Sequence, residues 1–178
     1  MSNLRFIKQE KSTSPVSSMT ITDCFSSDYD VYNVIITNTD YGVSNTDNAA
    51  VMIRFINSNG EEVDDSNYDT GNMFMKANQT KDEDKFTNGT YMYSSVNIGN
   101  QETAGANHWI MSPYNSDSYT YVLGEGSSGY DISSNLQRSS RAISGLKQTT
   151  SMTGIKFYSA NASNTFTATI AVYGLRID

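Results

Sequence analysis

The chain has 178 residues, of which 37% are hydrophobic and 11% aromatic, and this length is enough for one domain with a substantial core. Its formal net charge of −7 argues against nucleic acid and anionic membranes as partners, because binding their phosphates requires clustered Lys and Arg. The single cysteine excludes an internal disulfide, and no run of 18 apolar residues predicts a transmembrane helix. Charges in the N-terminal MSNLRFIKQE argue against a signal peptide there.

Four strands are predicted in the first third of the chain, at residues 4–9, 17–25, 31–38 and 50–57. The alternation in the second of these places Ile21 and Phe25 inward and Cys24 on the opposite face, as a semi-buried structural thiol. The third is almost continuously apolar, which is typical of a central strand buried on both sides. The fourth is followed by Asn59-Gly60, a strong hairpin signal because both residue types tolerate a positive φ.

Six further strands are predicted, at residues 71–78, 90–99, 107–114, 118–126, 153–160 and 165–174. The last two are predicted to pair as a hairpin, as are 107–114 and 118–126. The final strand carries Phe166, Ala168, Ile170 and Val172 on one face, as a half-buried strand does.

Four segments are predicted to lie outside the strands. The charged KDEDK (residues 81–85) is predicted to be a solvated loop, and residues 135–148 are the one place for a short helix. Mobile stretches are expected at residues 99–107 and 124–134.

About nine or ten short strands without helical periodicity predict an all-β protein, an antiparallel β-sandwich of jelly-roll-like type. Residues 1–12 form a lead strand or docking arm, and residues 13–178 form a single β-sandwich domain.

No catalytic or metal-binding constellation is visible, so no enzyme activity, cofactor or metal is predicted. His108 is the only histidine, which rules out a His-rich metal site, and beside Trp109 it indicates packing or a surface contact. DSNYDTG (residues 65–71) resembles a calcium loop, but its glycine falls one place late, and a turn rich in Asx residues explains it better.

Aromatic residues alternate on several predicted strands. Tyr91 and Tyr93 share one strand face, as do Tyr119 and Tyr121, and Trp109 lies on the preceding strand. This pattern fits the inner face of a sandwich, a protein–protein contact or a platform on which sugars stack.

Several stretches together resemble small structural proteins of tailed, especially marine, bacteriophages. They are MSNLRFIKQE, SSMTITDCFSSDYDVYNVIITN and VMIRFINSNGEEVDDSNYD near the N-terminus and TGIKFYSANASNTFTATIAVYGLR at the C-terminal end. The resemblance covers both ends of the chain well and the middle poorly. It implies a jelly-roll-like virion component, a capsid decoration or cement protein or a piece of the tail and fibre apparatus, without catalytic residues.

Two functional hypotheses follow. The first is a virion structural protein, assembled in the host bacterial cytoplasm, that binds major capsid or tail proteins and forms a homo-oligomer, with a trimer favoured. Its interface is predicted at Leu4, Phe6 and Ile7, which add a strand to a neighbour's open sheet edge. The alternative is a tail-associated or receptor-binding sandwich that recognises host surface carbohydrate. Carbohydrate or partner contacts are predicted at Trp109, Tyr119 and Tyr121.

Overall fold

The computed structural model describes residues 3–41, 49–77, 81–98, 103–131 and 136–176. The described residues form twelve β-strands and no helix, so none of them builds a helix that crosses a membrane. The strands are β1 (Leu4–Lys11), β2 (Ser18–Ile21), β3 (Val31–Tyr41), β4 (Ala49–Asn57), β5 (Tyr68–Lys76), β6 (Asp82–Gly89), β7 (Met92–Ile98), β8 (Ala104–Met111), β9 (Thr120–Asp131), β10 (Leu136–Leu146), β11 (Met152–Ser159) and β12 (Phe166–Leu175).

The strands form two sheets that pack face to face. The large sheet has eight strands in the order β1-β12-β3-β8-β9-β10-β5-β6, and the small sheet has four in the order β2-β11-β4-β7. Neighbouring strands within both sheets are antiparallel. The prediction of an all-β antiparallel sandwich is therefore confirmed, while the jelly-roll connectivity stays a prediction.

The core lies between the sheets and follows from the alternation of side chains along each strand. On β12, Phe166, Ala168, Ile170 and Val172 are buried, as predicted, while the residues between them are partly exposed. The largest fully buried side chains come from both sheets and include Tyr32, Tyr68, Phe55, Phe157 and Phe166. Each of these contributes about 1.5–3 kcal/mol through removal of its apolar surface from water.

Two strands were not predicted. The segment KDEDK was wrongly assigned to a loop, because residues 82–85 begin β6, the charged edge strand of the large sheet. The short helix over residues 135–148 was also wrong, because β10 occupies most of that segment and pairs with both β9 and β5. The two expected mobile stretches partly disagree with the structure as well: residues 104–107 belong to β8 and residues 124–131 to β9.

The hairpin predictions had mixed outcomes. Strands β8 and β9 pair as predicted. Asn59-Gly60 does form a turn, with Gly60 at φ 80, but β4 belongs to the small sheet and β5 to the large sheet. Strands β11 and β12 are likewise in different sheets rather than paired, because the chain crosses between the sheets at residues 160–165.

Cys24 and Phe25 are both buried, so the prediction that they face opposite sides of a strand was wrong. Strand β2 ends at Ile21, and Asp23 has φ 54, which turns the next two side chains into the core. Burial raises the pKa of the Cys24 thiol to about 12, so it is inert as a nucleophile at neutral pH.

Candidate interaction surface on the large sheet

The outer face of the large sheet, which points away from the core, carries a continuous row of side chains across six strands. The register places these residues side by side, in the order Ile143, Leu123, Trp109, Asn33, Tyr173 and Phe6. At about 4.8 Å per strand the row is about 24 Å long. Only Asn33 in this row is polar throughout, and its amide donates to Asn107 on the neighbouring strand.

Large apolar side chains are exposed on this outer face. Ile143 is 64% exposed, Phe6 59% and Met75 58%. Met73, Met111 and Tyr121 are also exposed and occupy outward positions on the same sheet. Single exposed apolar residues are normal on soluble proteins, but a contiguous set of them, as on β5, β10, β9 and β8, marks an interaction surface. Phe6 lies apart from this set, beyond Asn33, which is 3% exposed.

The outer face is grooved rather than flat. A depression of about 680 Å³ runs over β3, β8, β9, β10 and β5, with Ile35 at one side and Met73 and Met75 at the other. A second groove, of about 870 Å³, lies over β6, β5, β10 and β9 and is lined by Phe86, Tyr121 and Ile143, among others. Ile143 and Phe6, at the two ends of the row, are its most exposed residues, which fits a face that binds a convex partner.

Charge is sparse near the centre of this face. Arg141 and Glu125, opposite each other on β10 and β9, form an ion pair at 3.1 Å. Both side chains are more than half exposed, so the pair contributes at most about 1 kcal/mol to stability. A second pair, Lys147 with Asp69 at 2.8 Å, lies at the rim beside the larger groove, and it holds the pKa of the Asp69 carboxyl below its usual value. An apolar centre with a charged rim is the usual anatomy of a protein interface.

The structure brings most of the sequence-predicted contact residues onto this face. Phe6 packs edge-on against Tyr173, with ring centroids 5.7 Å apart. Trp109 and Tyr121 lie on adjacent strands, two residues out of register, so they are diagonal neighbours. Tyr119 is 43% exposed and lines the larger groove beside Tyr121.

The three residues of the predicted docking strand are divided between the two sides of the sheet. Leu4 pairs with Leu175 on β12 and is partly buried, and Phe6 faces outward. Ile7 lies at a bulge between Phe6 and Lys8 and packs against the core. The segment is thus already a strand of the large sheet, hydrogen-bonded to β12 on one side.

Met73, Met75 and Ile143 were not predicted as contact residues. They lie on β5 and β10, near the end where Asn72 and Arg138 are buried on the inward face while these apolar side chains are exposed on the outward face. The alternation Asn-Met-Phe-Met-Lys in β5 contains this signal, but the pattern alone does not say which face is inside.

Other candidate groups have structural roles. His108 is completely buried, so packing is its role rather than a surface contact. Tyr91 and Tyr93 form a separate aromatic cluster with Phe86, with ring centroids 4.9–5.9 Å apart, and the Tyr93 hydroxyl donates to Asp84. Within the residues that the structure describes, no cluster of three or more His, Cys, Asp or Glu side chains is placed to hold a metal ion.

In comparisons with known proteins, no family model, no curated protein and no solved structure matches this chain.

Proposed function

We propose that this chain is a non-enzymatic structural protein that binds partner proteins through the outer face of its large sheet. The observation that carries the proposal is the row of outward side chains from Ile143 to Phe6, flanked by exposed methionines and Tyr121. Covering such a face removes apolar area from water at about 25 cal/mol per Å², which offsets the entropy lost on association.

The setting we propose is the virion of a tailed bacteriophage, assembled in the cytoplasm of the host bacterium. The resemblance of both chain ends to small phage structural proteins supports this setting, and a capsid decoration or cement role is its most direct form. Partners are then major capsid or tail proteins together with further copies of this chain, in a trimer. The acidic net charge of −7 fits protein partners better than nucleic acid.

Incorporation into particles tests both parts of the proposal. Phage particles are assembled with wild-type chain or with Ile143→Asp, purified, and imaged after immunogold labelling of the chain. Ile143 is the most exposed large apolar residue among those that the structure describes, so we expect the substitution to leave the fold intact. A charge buried without a partner in an interface costs about 2 kcal/mol or more, which is about 30-fold in affinity.

Thr20→Asp is the matched control, because Thr20 is an exposed outward residue on β2 of the small sheet. We expect wild type and Thr20→Asp on particles and Ile143→Asp absent from them. Equal labelling with Ile143→Asp would refute the interface, and absence of wild-type chain from virions would refute the setting.

The alternative is a receptor-binding sandwich that reads host surface carbohydrate. The diagonal pair Trp109 and Tyr121, with Tyr119 beside the same groove, favours it, because sugar rings stack on exposed aromatic faces. Pull-down with host polysaccharide tests this function. Binding that is lost in Trp109→Ala and in Tyr121→Ala would support it, and absence of binding by the wild type would rule it out.

A further inference from the structure

A second site lies inside the sandwich, on the opposite side of β5 and β10 from the interaction surface. The inward row of β5 begins in the apolar core at Tyr68 but continues through Asn72, Phe74 and Lys76. The inward row of β10 likewise ends in Ser140 and Arg138, which pair in register with Phe74 and Lys76. Here the two sheets enclose a cleft of about 420 Å³.

The walls of this cleft carry charges of both signs. Arg138 is 8% exposed, with its guanidinium 3.5 Å from the centre of the Phe74 ring. The acidic residues are all on the edge strand β6, where Asp82 and Asp84 are exposed to solvent. The Lys76 side chain is 10% exposed and forms an ion pair with Asp82 at 4.0 Å, so the Arg138 guanidinium lies on the inner wall and the carboxylates lie at the rim.

One buried polar atom of the cleft wall has no hydrogen-bond partner among the described residues. It is Oδ1 of Asn72, whose residue is only 6% exposed. A buried polar group without a partner is costly, and such groups in folded proteins call for an explanation. A ligand that donates a hydrogen bond would satisfy it.

The backbone is strained at the same place. Ser95 has φ 59, in the left-handed region that residues other than glycine rarely adopt. It lies in a bulge of β7, where the register against β4 advances four residues on β7 for two on β4. The bulge is held by the Ser140 hydroxyl, which donates to the Ser95 carbonyl at 2.8 Å. Strain that the surroundings hold in place is concentrated at binding sites in proteins.

The charges and the unpaired atom together limit what can occupy the cleft. A cation is disfavoured by the buried Arg138 guanidinium on the inner wall, and an anion must pass the acidic rim of β6. An apolar ligand would leave Oδ1 of Asn72 unpaired. The volume lies near the lower end of the roughly 300–1,000 Å³ that small-molecule sites have. We propose that the cleft binds a small neutral polyhydroxylated ligand, a mono- or disaccharide, one of whose hydroxyl groups donates to Oδ1 of Asn72.

Isothermal titration calorimetry of the full chain with four neutral sugars tests the proposal: glucose, galactose, mannose and N-acetylglucosamine. We expect saturable binding of at least one, with a dissociation constant on the order of 1 mM. Glucosamine and glucuronate are the charged counterparts, and both should bind more weakly than the neutral sugar. No saturable binding of any neutral sugar, or tighter binding of either charged one, would overturn the proposal.

The variant Asn72→Leu tests whether the sugar binds in the cleft. It removes the acceptor but keeps similar volume, so sugar affinity should fall at least about tenfold while the melting temperature stays equal or rises. Asn72→Ala serves the same purpose if the leucine variant fails to fold. Thr20→Asp is the control, because Thr20 is exposed on β2 of the small sheet, away from the cleft and from the outer face of the large sheet, so this variant should leave sugar binding unchanged. Tyr121→Ala separates the cleft from the aromatic pair on the outer face. Unaltered affinity in both Asn72 variants, or affinity lost in Tyr121→Ala, would refute the cleft as the site, whereas the particle assay with Ile143→Asp fails or succeeds independently.

Discussion

His108 makes the stability of this protein depend on pH in a narrow window. The imidazole is completely buried between the sheets, with Nε2 2.7 Å from the carbonyl oxygen of Ser94 and Nδ1 3.2 Å from that of Val34. A neutral ring has one N–H, and the shorter contact indicates that Nε2–H donates to Ser94. Burial lowers the pKa of His108 below its ordinary 6.5, and this outweighs the two carbonyls, which act in the opposite direction.

The sign of the effect follows from which state binds the proton. In the unfolded chain the imidazole protonates as the pH falls through about 6.5, while in the folded chain it stays neutral to lower pH. Between these two values the unfolded state binds more protons, so the free energy of unfolding falls by up to about 1.4 kcal/mol per pH unit. The loss grows as the pH falls through 6.5 and continues until the folded imidazole itself protonates, and well above pH 6.5 His108 makes stability neither rise nor fall.

No other side chain has an ordinary pKa inside this window, because His108 is the only histidine of the sequence. The carboxyls of Glu62 and Asp69 also have lowered pKa values in the folded state. Desolvation raises the pKa of Glu62, but hydrogen bonds from Lys156 and Arg54 outweigh it. The pKa of Asp69 is lowered by its hydrogen bond from Lys147. Their stabilising contributions are complete above their ordinary values of 4.5 and 3.8 and are lost only below them. Measurements between pH 5 and 7.5 therefore isolate the imidazole.

Urea unfolding followed by Trp109 and tyrosine fluorescence at several pH values across this range measures the effect. In wild type the free energy of unfolding should be constant from pH 7.5 to 6.5 and then fall. His108→Gln retains an amide donor but does not titrate, so it should be less stable at pH 7.5 and show no slope down to pH 5. Parallel pH profiles for wild type and His108→Gln would refute the reasoning.

Two further predictions concern the packing between the sheets. Gly126→Ala should destabilise the fold by about 2 kcal/mol or more, because a Cβ at this position would lie 2.1 Å from the Ser95 carbonyl oxygen. Gly71→Ala is the control, because its Cβ would contact only Ile143, at 3.6 Å, and it should change the free energy of unfolding by about 0.5 kcal/mol or less. Equal urea midpoints for the two alanine variants would contradict this. Tyr68→Phe should cost about 1–3 kcal/mol in thermal unfolding, because the hydroxyl accepts from the Phe55 N–H at 3.1 Å and its loss leaves that donor buried and unpaired; a melting temperature equal to wild type would show that the hydroxyl is dispensable.

Strands with strict alternation were predicted well because one physical cause, burial of one face, produces the pattern. Strand β12 is the clearest case, since Phe166, Ala168, Ile170 and Val172 are all 2% exposed or less. Strand β10 was missed for the opposite reason: its inward positions include Arg138 and Ser140, so no apolar alternation marks it. Strand β6 was missed because an edge strand is rich in charge, which discourages pairing with other chains and makes the segment look like a loop.

The division of the strands between two sheets was beyond local sequence signals. The Asn59-Gly60 turn has the residues of a hairpin, and its hydrogen bond from the Gly60 N–H to the Asn57 carbonyl is formed. The chain nevertheless pairs with β4 only as far as Val63, whose N–H donates to Phe55, before it crosses to the large sheet. Turn chemistry is set by two or three residues, whereas the choice of sheet depends on the packing of the whole core.

Of the candidate contact residues, Phe6, Trp109 and Tyr121 were found from sequence, whereas Tyr173, Met73, Met75 and Ile143 were not. Trp109 and Tyr121 stand out in any alternating strand. Met73 and Ile143 are indistinguishable in sequence from core residues until the opposite face of their strands is known to be polar.

The reversed polarity of β5 and β10 links the two proposed sites to one physical cause. A strand end that served stability alone would turn Met73 inward and Asn72 and Arg138 outward. On β10 the reversal is confined to this end, because Ala142 and Leu146 face inward and are buried. The observed register instead exposes the apolar side chains and buries the polar ones, at a cost on both faces. Departures from the ordinary pattern that persist in a folded protein are expected where function requires them. The same two strands carry both departures, so the outer apolar surface and the inner polar cleft lie on opposite sides of β5 and β10. A partner bound to the outer surface would therefore cover the strands that form the back wall of the cleft.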